Sequence, residues 1–150
     1  MAPPHDLDIS AIRPEELARA ALILTQMNQE LQQEEIAERL RALLETYPHY
    51  SCLAARLDGE VVGVSGYWIA ERIWCGKYIE ADNVAVAKGY QGRGIGAALM
   101  QSVEDIGKQL GCQMAILDSY TSNRASHRFY HRLGYEIYGF HFVKPLAEAP

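Results

Sequence analysis

The chain has 150 residues, of which 49% are hydrophobic and 22% charged, a size and composition that fit one folded domain over residues 1–150 and exclude an extensively disordered chain. Its formal net charge of −5 argues against a nucleic-acid partner, which selects clustered Lys and Arg, and no apolar run approaches the ~20 residues that cross a membrane. Since the amino end lacks the features of a signal peptide and the three cysteines are widely separated, we expect a cytoplasmic protein without a disulfide framework or a zinc site.

The first third of the chain predicts one short strand and two helices. Asp8–Arg13 has the pattern of a strand, and Pro14 ends it and opens a helix that we expect to reach about Asn28. A second helix is predicted over Gln33–Thr46 because four apolar residues share one face at helical spacing: Ile36, Leu40, Leu43 and Leu44. Residues 1–50 carry nine acidic and four basic side chains, which fits either an ordinary solvated face or a preference for a cationic substrate.

The middle of the chain changes to the two-residue period of strands. Cys52–Leu57 and Val61–Ala70 flank Asp58-Gly59, a pair that tolerates the positive φ of a tight hairpin turn. A further strand is predicted over Tyr78–Val86, after a loop around Cys75-Gly76. We therefore expect three consecutive strands in this region.

The last third alternates helix and strand. An apolar stripe predicts a helix over Gly94–Leu110, and Met114–Leu117 follows as a short buried strand. Residues 121–123 are competent N-caps for a helix that Gly134 ends, and Glu136–Leu146 has the pattern of one or two strands. The resulting fold class is α/β (mixed α+β), with a central mixed sheet of six to seven strands, about four flanking helices and one parallel crossover.

A glycine-rich turn, Gln91-Gly92-Arg93-Gly94-Ile95-Gly96, lies where a predicted strand leads into a helix. Helix amino ends carry free N–H groups and partial positive charge, and glycines let that backbone approach an anion closely. A diphosphate is therefore the natural ligand, and Lys88 and Arg93 are candidates for charge-assisted contacts to its outer phosphates.

The same turn also satisfies the dinucleotide fingerprint G-x-G-x-x-[GA] over Gly92–Ala97, with Asp118 near the place of that fold's ribose-binding acid. Two features disfavour this alternative. Residues 87–91 separate the strand from the first glycine, and the 32 residues after Asp118 are too few for the remaining strands of such a domain. A Walker loop is excluded because no Gly-Lys-[Ser/Thr] follows the glycines.

Two motifs resemble the GNAT superfamily of acyl-coenzyme A-dependent N-acetyltransferases. Gln91–Gly96 matches that superfamily's [Q/R]-x-x-G-x-[G/A] signature, and Asn123–Tyr135 follows its N-x-x-A-x-x-[FLI]-Y-x-x-x-G-[FY] pattern. The resemblance implies a GNAT-type domain whose parallel central strands are splayed around CoA. It implies transfer of acetyl from acetyl-CoA, the cosubstrate, to a primary amine of a small molecule or peptide by direct attack, and such folds commonly form a homodimer.

The resemblance also assigns roles to individual residues. Tyr130 would protonate or hydrogen-bond the leaving thiolate, and Asn123 would contact the pantetheine arm while it caps its helix. Backbone groups of one strand would pair with the pantetheine amides and leave one N–H for the developing oxyanion. The implied cofactor-binding residues are Val84, Ala85, Val86, Gln91, Gly92, Arg93, Gly94, Ile95, Gly96, Ala97, Asn123 and Tyr130.

The base is open between two carboxylates. Glu80 lies eleven residues before Gln91 and Asp118 five before Asn123, spacings at which different members of the superfamily keep their base, while the alternatives are a solvent-facing strand residue and a turn residue. Asp82 shares the face of Glu80 if the strand is regular, and two nearby carboxylates would raise one pKa and bind an ammonium.

Two other readings of the side chains remain alongside the acetyltransferase. His127, His131 and His141 suggest a metal site, but no HExxH motif supports one. We expect no metal, and histidines of the surface or of a substrate cleft instead. Trp68 and its aromatic neighbours either wall an acceptor pocket or are ordinary half-buried strand aromatics. A noncatalytic acyl-CoA-binding module is the second function that these motifs allow.

Overall fold

The computed structural model describes residues 1–147, which form two compact units, Met1–Leu117 and a second unit that begins at Asp118. Short 3-10 turns at Pro14–Glu16 and Lys88–Tyr90 join larger elements of the first unit. That unit contains β1 (Asp8–Ala11), α1 (Leu17–Leu24), α2 (Gln33–Thr46), β2 (Tyr50–Leu57), β3 (Glu60–Arg72), β4 (Gly76–Val86), α3 (Ile95–Gln109) and β5 (Met114–Leu117). The second unit contains α4 (Arg124–Arg132).

The five strands of the first unit form one sheet in the order β1-β2-β3-β4-β5. Neighbours pair antiparallel from β1 to β4, whereas β4 and β5 pair parallel through the crossover that α3 provides. The mixed sheet, the four helices and the single parallel crossover confirm the predicted class. The predicted number of six to seven strands is wrong for residues 1–147, where the sheet has five.

The missing strands are those predicted over Glu136–Leu146, a stretch that lies within the described residues and has no regular secondary structure. A strand exists only where a partner supplies its hydrogen-bond ladder, and none of the described strands pairs with this stretch. Its apolar side chains stay exposed, Phe140 at 78% and Phe142 at 92%. A strand-like composition is therefore not sufficient here.

The two faces of the sheet bury different helices. Residues of α1 and α2, such as Ala20, Ile23 and Ile36, join Tyr50 and Val64 in one buried cluster. Side chains one residue along the strands point the other way, toward α3. There Gly63 lies against Leu99 and Ile95, and Gly107 of α3 lies so close to Ile79 that an added Cβ would approach its Cγ2 to 2.6 Å.

A buried guanidinium fastens the start of α1 to β1 and β2. Arg56 is 3% exposed, and its Nε and Nη2 donate to the two carboxylate oxygens of Glu16 at 2.6 and 2.7 Å. Glu16 also accepts from the backbone N–H of Arg13 at 2.8 Å, just before the 3-10 turn that leads into α1. This hydrogen-bonded pair sets where the first helix leaves the sheet.

In the second unit, the side chain of Asn123 accepts from the Ser126 N–H at 3.1 Å and caps α4, as predicted. Gly134, at φ 92, follows the end of that helix. No helix among residues 1–147 is both long and apolar enough to span a bilayer.

Candidate active site

The pairing between β4 and β5 ends halfway along β4. Their parallel pairing covers Tyr78–Ala81 against Met114–Leu117, where β5 ends, whereas β4 continues to Val86. The backbone of residues 82–86 therefore has a strand partner in β3 and none on its β5 side within the described sheet. Unpaired backbone N–H and C=O groups at such an edge are suited to an extended amide-bearing ligand.

A β-bulge lies in this same part of β4. Val64 pairs with Ala85 and Gly66 with Asp82, so β4 holds one more residue than β3 between the two pairs. Asn83 in the bulge has φ 55, in the left-handed region that Asn tolerates better than most residues. The bulge re-aims the backbone where the strand edge is bare.

The glycine-rich turn has the local geometry of an anion cradle. Gly92 and Gly94 have φ 75 and 78, and Gly94 is the N-cap of α3. A Cβ on Gly92 would meet nothing within 4 Å, so one side of the turn is open. These positions satisfy the close approach that a diphosphate requires of a helix amino end.

Side chains of the turn are partly committed to holding its shape. The Gln91 amide donates to the Val86 carbonyl at 3.0 Å and to the Gln26 side chain of the α1–α2 connection at 3.3 Å. Arg93 places its guanidinium 5.2 Å from the Tyr90 ring centroid. The backbone of the turn, rather than the Gln91 side chain, is therefore the part suited to bind phosphate.

The amino-terminal residues lie against the closed side of the turn. A Cβ on Gly94 would come within 2.6 Å of the Met1 carbonyl oxygen and 3.1 Å of the Pro3 nitrogen. Met1, Pro3, Pro4 and Leu7 also border a depression along α3 that includes Ala97 and Ala98. Position 94 thus needs glycine for two reasons, the positive φ and the adjoining chain.

Two carboxylates project from β4 on the face that also carries Trp68. Glu80 pairs across the sheet with Trp68 and Asp82 with Gly66, so the regular alternation predicted for Glu80 and Asp82 is confirmed. Glu80 forms an ion pair with Arg72, at 3.6 Å between carboxylate and guanidinium. Asp82 accepts from the Trp68 indole at 3.2 Å and from the Asn83 amide at 2.8 Å.

Aromatic rings cover this face beside Asp82. Trp68 packs on Tyr50 at 4.9 Å between centroids and on Tyr47 at 5.6 Å, and Tyr47 remains 50% exposed. Burial, with the charge of Asp82 as a smaller cause, raises the pKa of Tyr50 far above its usual range and that of Cys52 to about 12. Both groups therefore stay protonated at neutral pH, and neither is a ready nucleophile.

Tyr130 lies on α4 in the second unit, half-buried and packed edge-on against Phe129 and Tyr135, with centroids 5.1 and 5.9 Å away. Burial raises the pKa of its phenol. The hydroxyl is therefore protonated at neutral pH and able to donate, as a role toward a leaving thiolate requires.

The second unit pairs Asp118 with His141, at 3.2 Å between Oδ2 and Nδ1. The neighbouring hydroxyl of Ser119 is buried and has no hydrogen-bond partner among the described residues. An orphaned hydroxyl just after β5 fits a site that a polar ligand completes. The sequence suggests His141 as a metal ligand or as a surface or substrate-cleft histidine, and no motif signals its contact with Asp118.

The other two histidines of the metal alternative contact backbone. His127 Nε2 lies 2.9 Å from the Tyr120 carbonyl oxygen, and His131 Nδ1 lies 2.9 Å from that of Tyr135. Residues 1–147 contain no group of three or more His, Cys, Asp or Glu side chains arranged to hold a metal ion. The structure therefore adds nothing to the metal alternative.

The structure brings Glu80, Asp82 and the bare edge of Val84–Val86 together on β4, near the start of the glycine turn. Tyr130, Asp118 and Asn123 lie in the second unit, and Glu80 in the first. The Trp68–Asp82 bond is a contact that sequence reasoning missed. The register of the β3–β4 hairpin could have predicted it: Gly66 pairs with Asp82, and Trp68, two residues further along β3, lies on the same face as both.

Comparisons with known proteins agree with this geometry. The model of a protein family, the acetyltransferase (GNAT) family, matches residues 18–135. The chain is 32% identical over 128 residues to an aminoalkylphosphonate N-acetyltransferase of Salmonella typhimurium, a match that covers 84% of this chain and 82% of that protein.

Solved structures share the fold at lower identity. A transcriptional regulator from Bacillus halodurans superposes with a TM-score of 0.85 at 17% identity, covering 93% of this chain and 99% of that one. The aminoglycoside N-acetyltransferase AAC(6′)-Iy, in complex with CoA, superposes with a TM-score of 0.82 at 18% identity, covering 98% and 100%. At these identities the likeness shows the fold alone.

Proposed function

The chain belongs to the acetyltransferase (GNAT) family and is an N-acetyltransferase, and we propose that it transfers acetyl from acetyl-CoA to the primary amine of a small molecule by direct attack. The observation that carries the proposal is the bare, bulged edge of β4 over residues 82–86, which leads through the 3-10 turn Lys88–Tyr90 into the glycine turn. An amide-bearing arm that ends in a diphosphate fits that sequence of backbone donors.

The residues that would hold acetyl-CoA follow from this arrangement. The backbone of Val84–Val86 pairs with the amides of the pantetheine arm, and the turn from Gly92 to Gly96 receives the diphosphate. Asn123, which the family resemblance assigns to the pantetheine arm, lies in the second unit and caps α4. Acetyl-CoA supplies a thioester carbonyl as the electrophile.

Starting from an ammonium, the chemistry removes two protons from nitrogen and returns one to sulfur. A primary amine with pKa ~10.4 is mostly protonated at neutral pH, so Glu80, directly or through a water, takes the ammonium proton. The amine nitrogen then bonds to the carbonyl carbon, and a backbone N–H of the β4 bulge stabilises the charge that develops on oxygen. The nitrogen releases its second proton to water as the carbon–sulfur bond breaks, and the departing thiolate takes up one proton from water. Tyr130 donates its phenolic hydrogen bond to the departing sulfur.

Asp118 is the second candidate for the base, and its contact with His141 suggests that it would act together with that imidazole. A carboxylate that holds an imidazole at 3.2 Å orients that ring to accept a proton, so the pair and not Asp118 alone would act. Glu80→Gln tests the first assignment, whereas Asp118→Asn and His141→Gln test the second, because they remove the orienting carboxylate and the accepting ring. The variant that removes the true base lowers kcat by about two orders of magnitude and removes the acidic limb of the pH profile.

A thiol-release assay with acetyl-CoA and a panel of primary amines tests the proposal, beginning with an aminoalkylphosphonate because the relative bears that name. We expect amine-dependent release of CoA, and Tyr130→Phe to lower kcat by ~10-fold or more without weakening CoA binding. CoA binding without release of thiol from acetyl-CoA by any amine would favour the noncatalytic module, and preference for NAD over acetyl-CoA would overturn both.

A further inference from the structure

We infer that Asp82, set in place by Trp68 and Asn83, is the counter-ion that binds the ammonium of the acceptor before it reacts, so that the acceptor is a small cationic amine. The inference rests on the proposed acetyl transfer and names the class of its substrate. Three observations carry it. Glu80 has a cationic partner whereas Asp82 has none among the described residues, aromatic rings lie beside Asp82, and Asp82 lies where the pairing of β4 with β5 ends.

The two carboxylates of β4 differ in what balances their charge. Glu80 is paired with the cationic guanidinium of Arg72. Asp82 accepts from an indole N–H and an amide N–H, both neutral, and it belongs to no ion pair among the described residues. Its negative charge is thus held in a fixed direction without being neutralised, which is the state that a cationic ligand favours.

The wall beside Asp82 suits an ammonium with a short apolar body. Trp68 donates its Nε1–H to the carboxylate while its ring packs against Tyr50 and the half-exposed Tyr47. Aromatic faces attract cations and cover the methylene groups that such an amine carries. The combination favours an acceptor whose reacting end is a cation on a short apolar body.

The absence of a side chain at Gly66 leaves space for the aromatic rings beside Asp82. Gly66 lies opposite Asp82 in the register of β3 and β4, and a Cβ there would collide with the Tyr50 hydroxyl. The Tyr50 ring occupies this space, and Tyr50 itself is buried at 5% exposure. Gly66 therefore allows the aromatic wall to lie directly beside the Asp82 carboxylate.

The location ties this cluster to the reaction. Asp82 is the first residue of β4 beyond the last pair with β5, Ala81 with Leu117, and it immediately precedes the Asn83 bulge. An ammonium held at Asp82 is therefore next to the bulge, whose backbone N–H we assign to the oxygen of the thioester carbonyl. Glu80, two residues back on the same face, is then placed to receive the proton.

The test compares two acceptors of similar size, propylamine, which is a cation at pH 7.5, and 2,2,2-trifluoroethylamine, whose fluorines keep it largely neutral. We expect Asp82→Asn to raise KM for propylamine by about 10- to 100-fold, with a much smaller effect on kcat, and to change KM for trifluoroethylamine little. Trp68→Phe keeps the ring but removes the donor and should shift KM for propylamine in the same direction by less.

Asp105→Asn is the matched control, because Asp105 is an exposed carboxylate on α3 that pairs with Lys108 at 3.5 Å. It should leave both KM values unchanged. An equal rise in KM for both amines in Asp82→Asn would show a structural role and overturn the inference, as would an unchanged KM for propylamine. Thermal melts confirm that each variant is folded.

A binding measurement separates this inference from the proposed function. If the wild-type protein acetylates neither amine, the proposed function is wrong for this acceptor class, and propylamine binding is measured by the shift of the melting temperature. A shift that Asp82→Asn abolishes and Asp105→Asn retains supports an ammonium site at Asp82. Absence of any shift in the wild-type protein overturns it.

Discussion

Replacing Arg56 with methionine removes the buried guanidinium that joins β1, β2 and the start of α1. Arg56 makes six side-chain hydrogen bonds, two of them to the carboxylate of Glu16, which is itself 8% exposed. The variant leaves that carboxylate buried without its cation and leaves the Ala11 and Ala54 carbonyls without this donor. Removing one partner of a buried pair costs about 3–5 kcal/mol, because the remaining charge keeps its desolvation penalty.

Urea unfolding at pH 7 measures the loss of the free energy of unfolding, and for a chain of this length the same loss lowers Tm by roughly 6–20 °C. Asp8→Asn is the matched control, since Asp8 binds the same guanidinium at 3.1 Å but is 58% exposed in its side chain. It should cost less than about 1 kcal/mol. The double variant Arg56→Met with Glu16→Leu should recover much of the loss, because no uncompensated charge then remains.

Acid provides an independent measure of the same pair. The hydrogen bonds from Arg56, opposed by burial, lower the pKa of Glu16 below its ordinary value of 4.5. A lowered folded-state pKa contributes stability above the unfolded pKa that is lost as pH falls through the folded one. The wild-type free energy of unfolding should therefore fall below about pH 4.5 more steeply than that of Glu16→Gln. Equal slopes, or a cost for Arg56→Met as small as that for Asp8→Asn, would refute the reasoning.

Three smaller substitutions test local geometry. Gly66→Ala forces a Cβ into the Tyr50 hydroxyl and should cost about 1–3 kcal/mol in urea unfolding, a loss that Tyr50→Phe in the same chain relieves. Gly94→Ala meets both a φ of 78 and the Met1 carbonyl, so titration with CoA should show weaker binding, and removal of residues 1–6 should restore only the part due to the contact. Asn123→Ala removes the cap of α4 and should lower the free energy of unfolding by ~1 kcal/mol without exposing a core residue, because no residue of α4 is fully buried.

Elements whose ends carry a chemical signal lie close to their predicted bounds. The structure has α2 at Gln33–Thr46, where the sequence shows an apolar helix face and Pro48 follows just beyond the end. It has β5 at Met114–Leu117, where a short apolar run follows Gly111. Both ranges agree with the sequence prediction. α1 is shorter than expected and ends at Leu24 rather than near Asn28. Beyond Leu24 the backbone tightens into turns in which the N–H of Met27 bonds to the Leu24 carbonyl at 3.1 Å. The Thr25 hydroxyl and the Asn28 amide also donate to the Leu22 and Leu24 carbonyls, at 2.6 and 3.0 Å.

The local parts of the site were predictable for the same reason. The cap of α4 by Asn123 and the left-handed glycines of the turn depend on neighbouring residues, and the sequence shows those neighbours. The contact of Asp118 with His141 joins residues 23 positions apart across a stretch without strand pairing, where no period fixes which side chains meet. The composition of Glu136–Leu146 indicates a strand, but a strand also needs a partner edge, which is a property of the assembled sheet.

The bulge in β4 shows how one residue changes what a strand can do. Simple alternation along Tyr78–Val86 would place Asp82 and Ala85 on opposite faces, whereas the structure pairs them with Gly66 and Val64, which share a face. Asn83, with φ 55, absorbs the extra residue. Asp82 lies on the face of Glu80 and Trp68 by simple alternation, and the bulge after it brings Ala85 to that same face, in the cluster beneath α1. Only an asparagine at this position hints at the bulge in the sequence, because it accepts the left-handed backbone that a β-branched residue would resist.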